Sequence, residues 1–202
     1  MSLLIKNLGL TGYQETWKSM KDHIKSQPET DEIWLTEHPP IFTTGLNKKE
    51  SMLPKSDIPH LFVDRGGKIT YHGPGQIIIY ILVNLKRNNL TIRKLISILE
   101  NSVITLLLKY EIESYAKKEA PGIYIKQKKI ASVGLRIKKG FTYHGLSINI
   151  KMDLHPFTII DPCGFSDLKM AQLSDFSDNI NMKEIQNCLT KNIQKEFKLN
   201  DE

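Results

Sequence analysis

Four short stretches hold residue types that could do chemistry together. IIDPCGFSDL places Cys163 between Pro162 and Gly164, a loop or turn context rather than a helix interior. A thiol in a polar turn is accessible, and accessible thiols are the reactive ones. Cys188, among the apolar residues of a helical pattern, reads instead as a small core side chain. A nucleophilic cysteine needs a neighbour that favours the thiolate. Histidine is the usual partner, and the chain has six: His23, His38, His60, His72, His144 and His155. Lysine can serve as the cation and later move a proton. Lys129, which opens the strand-like KIASVGLRI, is one candidate, although the ordinary fate of a lysine in a basic chain is a solvated surface.

The remaining two stretches are RGGKITYHGPGQ and FTYHGLSINI, which share Thr-Tyr-His-Gly. Their flanks do not match, so a duplicated unit is not indicated. Each reads as a strand ending in a His-Gly step, where a bare backbone admits close approach of something else. The glycines fit neither GxxxxGK[ST] nor GxGxxG, and a strand rather than a helix follows them. Nucleotide binding through such a loop is not expected.

The elements that must hold these residues follow from hydrophobic periodicity. Residues 11–26 carry Tyr13, Trp17, Met20 and Ile24 at helical spacing. EIWLTEH, IFTTGL, LFVDR, KITYH and QIIIYILVNL read as strands broken by proline and glycine, with 49–60 a polar loop. A long helix is expected from TIRKLISILENSVITLLLKY. GIYIK, KIASVGLRIK and FTYHGLSINIKM then form a meander with short turns, and 181–199 a final helix. Hairpins separated by helices predict an α+β fold with a mixed, mainly antiparallel sheet, and a single domain over 1–202.

Bulk properties narrow the classes. Two cysteines in 202 residues exclude a disulfide framework and suggest a reducing compartment. MSLLIKNLGL is interrupted by Lys6, and the longest apolar run, 77–83, is far too short for a membrane span, so a cytoplasmic protein without a membrane partner is expected. A net charge of +6 favours acidic partners, but no zinc-finger spacing, recognition helix or aromatic-studded basic stripe points to nucleic acid.

Taken in order, RGGKITYHGPGQ, KKIASVGLRI, FTYHGLSINI and DPCGF resemble the lipoyl(octanoyl) transferase family, and HPPIFTTG (38–45) looks like a strand of the same family. The resemblance covers about residues 10–180. It implies a fold similar to the catalytic domain of biotin and lipoate ligases. It also implies transfer of an octanoyl group from acyl carrier protein to a specific lysine of lipoyl domains. These acceptors include the 2-oxoacid dehydrogenase complexes and the glycine-cleavage H protein. No ATP, metal or other cofactor is expected, because the thioester is already activated. By position, the nucleophile falls on Cys163 and the lysine that lowers its pKa on Lys129. Substrate-contacting positions fall on Arg65, Gly66, Gly67, Lys68, Ile69, Thr70, Tyr71 and His72, on Ser132, Val133 and Gly134, and on Gly145, Leu146 and Ser147. The two TYHG segments would then be opposite walls of one acyl pocket. Lys126, Lys128, Lys138 and Lys139, at hairpin turns, could guide an acidic carrier protein. The nearest rival is an ATP-dependent lipoate–protein ligase; a silent lipoyl-domain binder and a nucleic-acid module are more distant ones.

Overall fold

The run QIIIYIL has no polar face to offer water, so it must be covered on both sides. In the computed structural model, which describes residues 3–47, 54–118, 120–161 and 168–198, it is the middle of the molecule and every residue of it is buried. The chain begins β1 (Leu3–Leu10), α1 (Tyr13–Lys25), β2 (Asp31–Glu37), β3 (Ile41–Thr44), β4 (His60–Phe62), β5 (Ile69–His72) and β6 (Gln76–Leu82). It continues α2 (Ile92–Leu108), β7 (Tyr115–Ala116), β8 (Gly122–Ile125), β9 (Lys128–Lys138), β10 (Phe141–Asn149) and α3 (Met182–Lys198).

One sheet of seven strands runs β1-β2-β6-β10-β9-β8-β7, parallel only between β1 and β2. A second, of three strands, runs β4-β3-β5. The mixed, mainly antiparallel α+β arrangement is the one the hairpin pattern predicts. On one face of the large sheet, Leu95, Leu99, Val103 and Leu106 of α2 and Ile185, Leu189 and Ile193 of α3 bury Ile79, Ile81, Leu146 and Ile148. On the other, Met20 and Ile24 of α1 pack on Trp34, Ile78, Tyr80 and Tyr143. Each fully buried aliphatic side chain stabilises the fold by roughly 1.5–3 kcal/mol, so these two layers fix the sheet on which everything else is mounted. Thr91 caps α2 by accepting the Lys94 N–H at 3.2 Å.

Tight turns set the β8-β9-β10 register. Ile125 pairs with Lys128 across Lys126 (φ 45°) and Gln127 (φ 71°), and Lys138 with Phe141 across Lys139 (φ 51°) and Gly140 (φ 81°). Two successive positive φ values match the right-handed twist of the strands they join.

One expected strand shortens and two strands are added to those expected. β1 is a strand that periodicity does not reveal, because it lies at the sheet edge with only Leu3 buried; Lys6 reaches Glu32 of β2 at 2.8 Å. The strand expected over 61–65 stops at Phe62, since Asp64 and Arg65 spend their side chains on other elements. β7 is only two residues long, too short for periodicity to reveal. Among the described residues no helix is long and apolar enough to cross a membrane.

Candidate active site

Two rungs of the large sheet expose almost no side chain. Ile78 pairs with Ser147 and Ser147 with Ser132; two residues further along, Tyr80 pairs with Gly145 and Gly145 with Gly134. Residues directly opposite share a face, so four small residues form a shallow floor between Ile78 and Tyr80 on one flank and the rest of β9 on the other. Gly145 has no alternative, because a Cβ there would lie 2.1 Å from the Ile79 carbonyl oxygen. Over this floor lies a cavity of about 550 Å³. Its roof is the segment Arg65–Thr70 with His72. Ile92 and Ile96 of α2, Ala120, Pro121 and Lys129 complete its wall.

The roof is tied down by one guanidinium. Arg65 Nη2 donates to the Thr43 carbonyl (2.7 Å) and hydroxyl (2.9 Å), and Nη1 to the Gly66 carbonyl (2.9 Å). The Gly66 N–H in turn donates to Leu135 O of β9. Gly45 permits this approach: a Cβ there would lie 2.4 Å from the Gly67 carbonyl.

At the TYHG segment of β10, His144 takes φ 59°. The twist lets Tyr143 and His144 reach the same carboxylate. Asp64 accepts hydrogen bonds from His144 Nε2 (2.9 Å), the Tyr143 hydroxyl (2.6 Å) and Trp17 Nε1 (2.8 Å). Burial alone would raise the Asp64 pKa, but these donors outweigh it and hold the carboxyl well below the usual range. Burial lowers the His144 pKa, against the raising effect of Asp64. With Nε2–H given to Asp64, Nδ1 of the neutral ring is an acceptor. It has no partner among the described residues.

The other TYHG histidine is oriented by a chain of fixed direction. The Ala171 carbonyl can only accept, so Asn149 Nδ2 donates to it (2.9 Å); Asn149 Oδ1 then accepts from Gln76 Nε2 (2.8 Å), and Gln76 Oε1 from His72 Nδ1 (2.7 Å). Burial pushes the His72 pKa down to about 3, so the ring is neutral with Nε2 bare. His38, pushed by burial to about 4, bonds the Thr11 carbonyl through Nδ1 and the Tyr80 hydroxyl through Nε2. Tyr13 stacks on His72 with centroids 5.6 Å apart, and burial raises its own pKa to about 12.

Lys129 is 1% exposed, among the largest fully buried side chains of the protein. Its Nζ lies 5.4 Å from the Tyr124 ring centroid. Glu100 of α2 accepts the Gly122 N–H at 2.9 Å; burial raises its pKa, while the Gly122 bond and the Lys129 charge oppose that. The backbone of Lys129 is paired as well: its N–H donates to Lys169 O, and its carbonyl accepts from Ala171 N, both at 2.9 Å.

Of the positions proposed for substrate contact, Arg65 to Thr70, His72, Ser132 to Gly134 and Gly145 to Ser147 all line this one cavity, together with Lys129. Tyr71 does not. Strand alternation turns it to the opposite face of β5, where its ring packs against Phe42 and Phe157, each 5.5 Å away. Cys163 lies outside the described residues. Sequence reasoning missed Tyr13, Ile78, Tyr80 and Asp64. Tyr80 left a trace, a single hydroxyl inside an otherwise aliphatic run, whereas Tyr13 was indistinguishable from a core residue of α1.

The protein is thus an α+β molecule whose mixed sheet carries a cavity over bare glycine rungs, with a buried lysine in its wall. Residues 15–194 match the family described as lipoyl protein ligase A/B catalytic domain. Among relatives named octanoyltransferase, that of Haemophilus influenzae is 51% identical over 179 residues, covering 87% of this chain and 84% of its own. That of Buchnera aphidicola is 47% identical, covering 96% and 93%, and that of Colwellia psychrerythraea 43%, covering 99% and 86%. The chain belongs to this octanoyltransferase family, acyltransferases that carry octanoyl groups in protein lipoylation. The fold is shared more widely. P. falciparum LipL1 in complex with lipoate superimposes with a TM-score of 0.77 at 14% identity, over 98% of this chain and 63% of that longer one. Lipoate-protein ligase A bound with ATP gives 0.71 at 14%, over 96% and 84%. Biotin protein ligase from Aquifex aeolicus gives 0.59 at 16%, over 98% and 69%.

Proposed function

We propose that this single-domain chain takes octanoyl from octanoyl-acyl carrier protein onto Cys163 as a thioester and passes it to a lysine of a lipoyl domain, with Lys129 carrying the proton in both halves. The observation that carries the reading is the burial of Lys129 at the edge of a cavity floored by Ser132, Gly134, Gly145 and Ser147. A buried amine in the wall of a cavity is a recurrent mark of a functional site, because its burial costs solvation. A second support is connectivity: Lys169 and Ala171, bonded to the Lys129 backbone, follow Cys163 by six and eight residues. At about 3.3–3.6 Å per residue the Cys163 Cα is tethered within roughly 22 Å of the Lys169 Cα.

The steps balance without nucleotide. The Cys163 thiolate attacks the acyl carbonyl, the bond to the pantetheine sulfur breaks, and the Lys129 ammonium protonates that departing sulfur. Neutral Lys129 then accepts the proton of the acceptor amine as it attacks the acyl-enzyme, regenerating thiolate and ammonium. Each buried methylene of the chain adds about 0.8 kcal/mol of binding. The acceptors on this reading are the lipoyl domains of 2-oxoacid dehydrogenases and the glycine-cleavage H protein. Neither metal nor ATP has a role.

The test is incubation with octanoyl-acyl carrier protein and a lipoyl domain, following the acceptor mass. A gain of one octanoyl group in the absence of ATP is expected from the native protein, and none from Cys163→Ala. Transfer that requires ATP and free acid would instead establish a ligase.

A further inference from the structure

The cavity has an end, away from Lys129, that the chemistry above does not use. A Cβ on Gly122 would lie 2.6 Å from Lys129 Cε, and Gly122 pairs with Ser132, so the Gly134 rung lies two residues, about 7 Å at ~3.4 Å per residue, further along β9. An extended octanoyl chain measures about 9 Å from carbonyl carbon to methyl, from seven carbon–carbon bonds of ~1.5 Å in zigzag. With the carbonyl held beyond the stem of Lys129, the methyl reaches the rung formed by Tyr80, Gly145 and Gly134. Two of those three residues have no side chain, so Tyr80 is the one member of the rung whose side chain enters the cavity, under a roof that places Gly66 O and Arg65 Cδ over Gly134.

Its ring is not free to swing. The Thr11 carbonyl can only accept, so His38 Nδ1 donates to it (2.7 Å); Nε2 is therefore the acceptor, and the Tyr80 hydroxyl donates to it at 2.6 Å. His144 meets the Tyr80 ring edge-on with centroids 6.3 Å apart. Tyr80 is 3% exposed and His38 fully buried, so the bond between them is shielded from solvent.

We propose that Tyr80, fixed by His38, is the stop that sets acyl-chain length in the cavity. This rests on the proposed function only in placing the thioester carbonyl at the Lys129 end. A ninth or tenth carbon must displace a ring anchored by a buried hydrogen bond to His38, itself held by Thr11, whereas a chain two carbons shorter leaves the space before it empty. A methylene more or less in a rigid apolar slot changes kcat/KM by about tenfold or more.

Opposite substitutions on the same rung test the idea. Tyr80→Ala should raise the decanoyl-to-octanoyl ratio of kcat/KM by about tenfold, whereas Tyr80→Phe, which keeps the ring, should move it less than about threefold. Gly134→Ala adds a methyl facing the roof, 3.2 Å from the Gly66 carbonyl and 3.5 Å from Arg65 Cδ. It should shift preference the other way, toward hexanoyl. Should Tyr80→Ala fail to fold, Gly134→Ala decides alone. Loss of transfer in Cys163→Ala combined with an unchanged length profile in the folded Tyr80→Ala and Gly134→Ala proteins would overturn the stop and leave the proposed function standing. Transfer retained by Cys163→Ala would overturn the proposed function itself.

Discussion

Lys129 crosses Gly122 so closely that a Cβ on the glycine would lie 2.6 Å from the lysine Cε. The same Cβ would lie 2.2 Å from the Ala131 carbonyl oxygen, and the glycine itself takes φ +139°. The bare backbone at 122 is therefore the channel through which the lysine stem reaches the cavity, and the N–H of the same residue holds Glu100. Gly122→Ala should lower stability by about 1–3 kcal/mol from backbone strain alone. It should lower transfer further than the remaining folded fraction explains. Denaturant melts and rates on the same preparation separate the two losses.

Lys129→Arg keeps a cation in the wall but removes a group able to give up its proton, because guanidinium stays charged at any accessible pH. If Lys129 moves protons, acyl-enzyme formation should survive better than acceptor acylation, and octanoyl adduct should accumulate on Cys163 by mass spectrometry. Equal retention of both half-reactions would reduce the lysine to a fixed charge. Cys188→Ala, on the α3 face beside Tyr110, should change neither half-reaction.

The buried histidines make stability fall with acid. His38 and His72 have native pKa values of about 4 and about 3, below the unfolded value near 6.5, so the neutral rings stabilise the fold fully above that value. Below it the unfolded chain binds protons that the native state refuses. Each histidine then removes about 1.4 kcal/mol per pH unit until its native pKa is reached. Asp64, also depressed, adds its loss only below about pH 4. Urea melts from pH 7.5 to 4.5 should show stability declining from about pH 6.5. In His38→Gln the slope should be shallower, with lower stability at neutral pH. A profile flat to pH 5 would mean these rings protonate freely.

The glycine motifs were legible because nothing else fits where Gly145 lies against Ile79; Lys129 came only through the family resemblance, because a buried lysine and a surface one look alike in sequence. The helices and the β8-β9-β10 meander were legible for the same reason their periodicity is clean. Tyr13 and Tyr80 were not, because a tyrosine lining a cavity and one lining a core present the same spacing. Nor was the role of Asp64, whose three donors come from α1 and β10, at 47, 79 and 80 residues' separation. Only the packed sheet brings them together.

The four basic turn residues also part company once β9 is built. Lys126 and Lys128 flank the turn next to Lys129, while Lys138 and Lys139 lie at the far end of an eleven-residue strand. At ~3.3 Å per residue that separates the two pairs by about 30 Å, three Debye lengths at moderate salt. A basic mouth guiding an acidic carrier protein to the reacting end therefore depends on the first pair and not the second. Lys126→Gln with Lys128→Gln should slow kcat/KM for octanoyl-acyl carrier protein by about tenfold at ~0.1 M salt, with the deficit fading near ~0.5 M. Lys138→Gln with Lys139→Gln should change it less than about twofold. A small octanoyl thioester without the carrier protein should be turned over alike by both double variants, since its encounter with the cavity gains nothing from distant charge. Equal losses for the two pairs would mean that the carrier protein spans the length of β9 rather than docking at the Lys129 mouth.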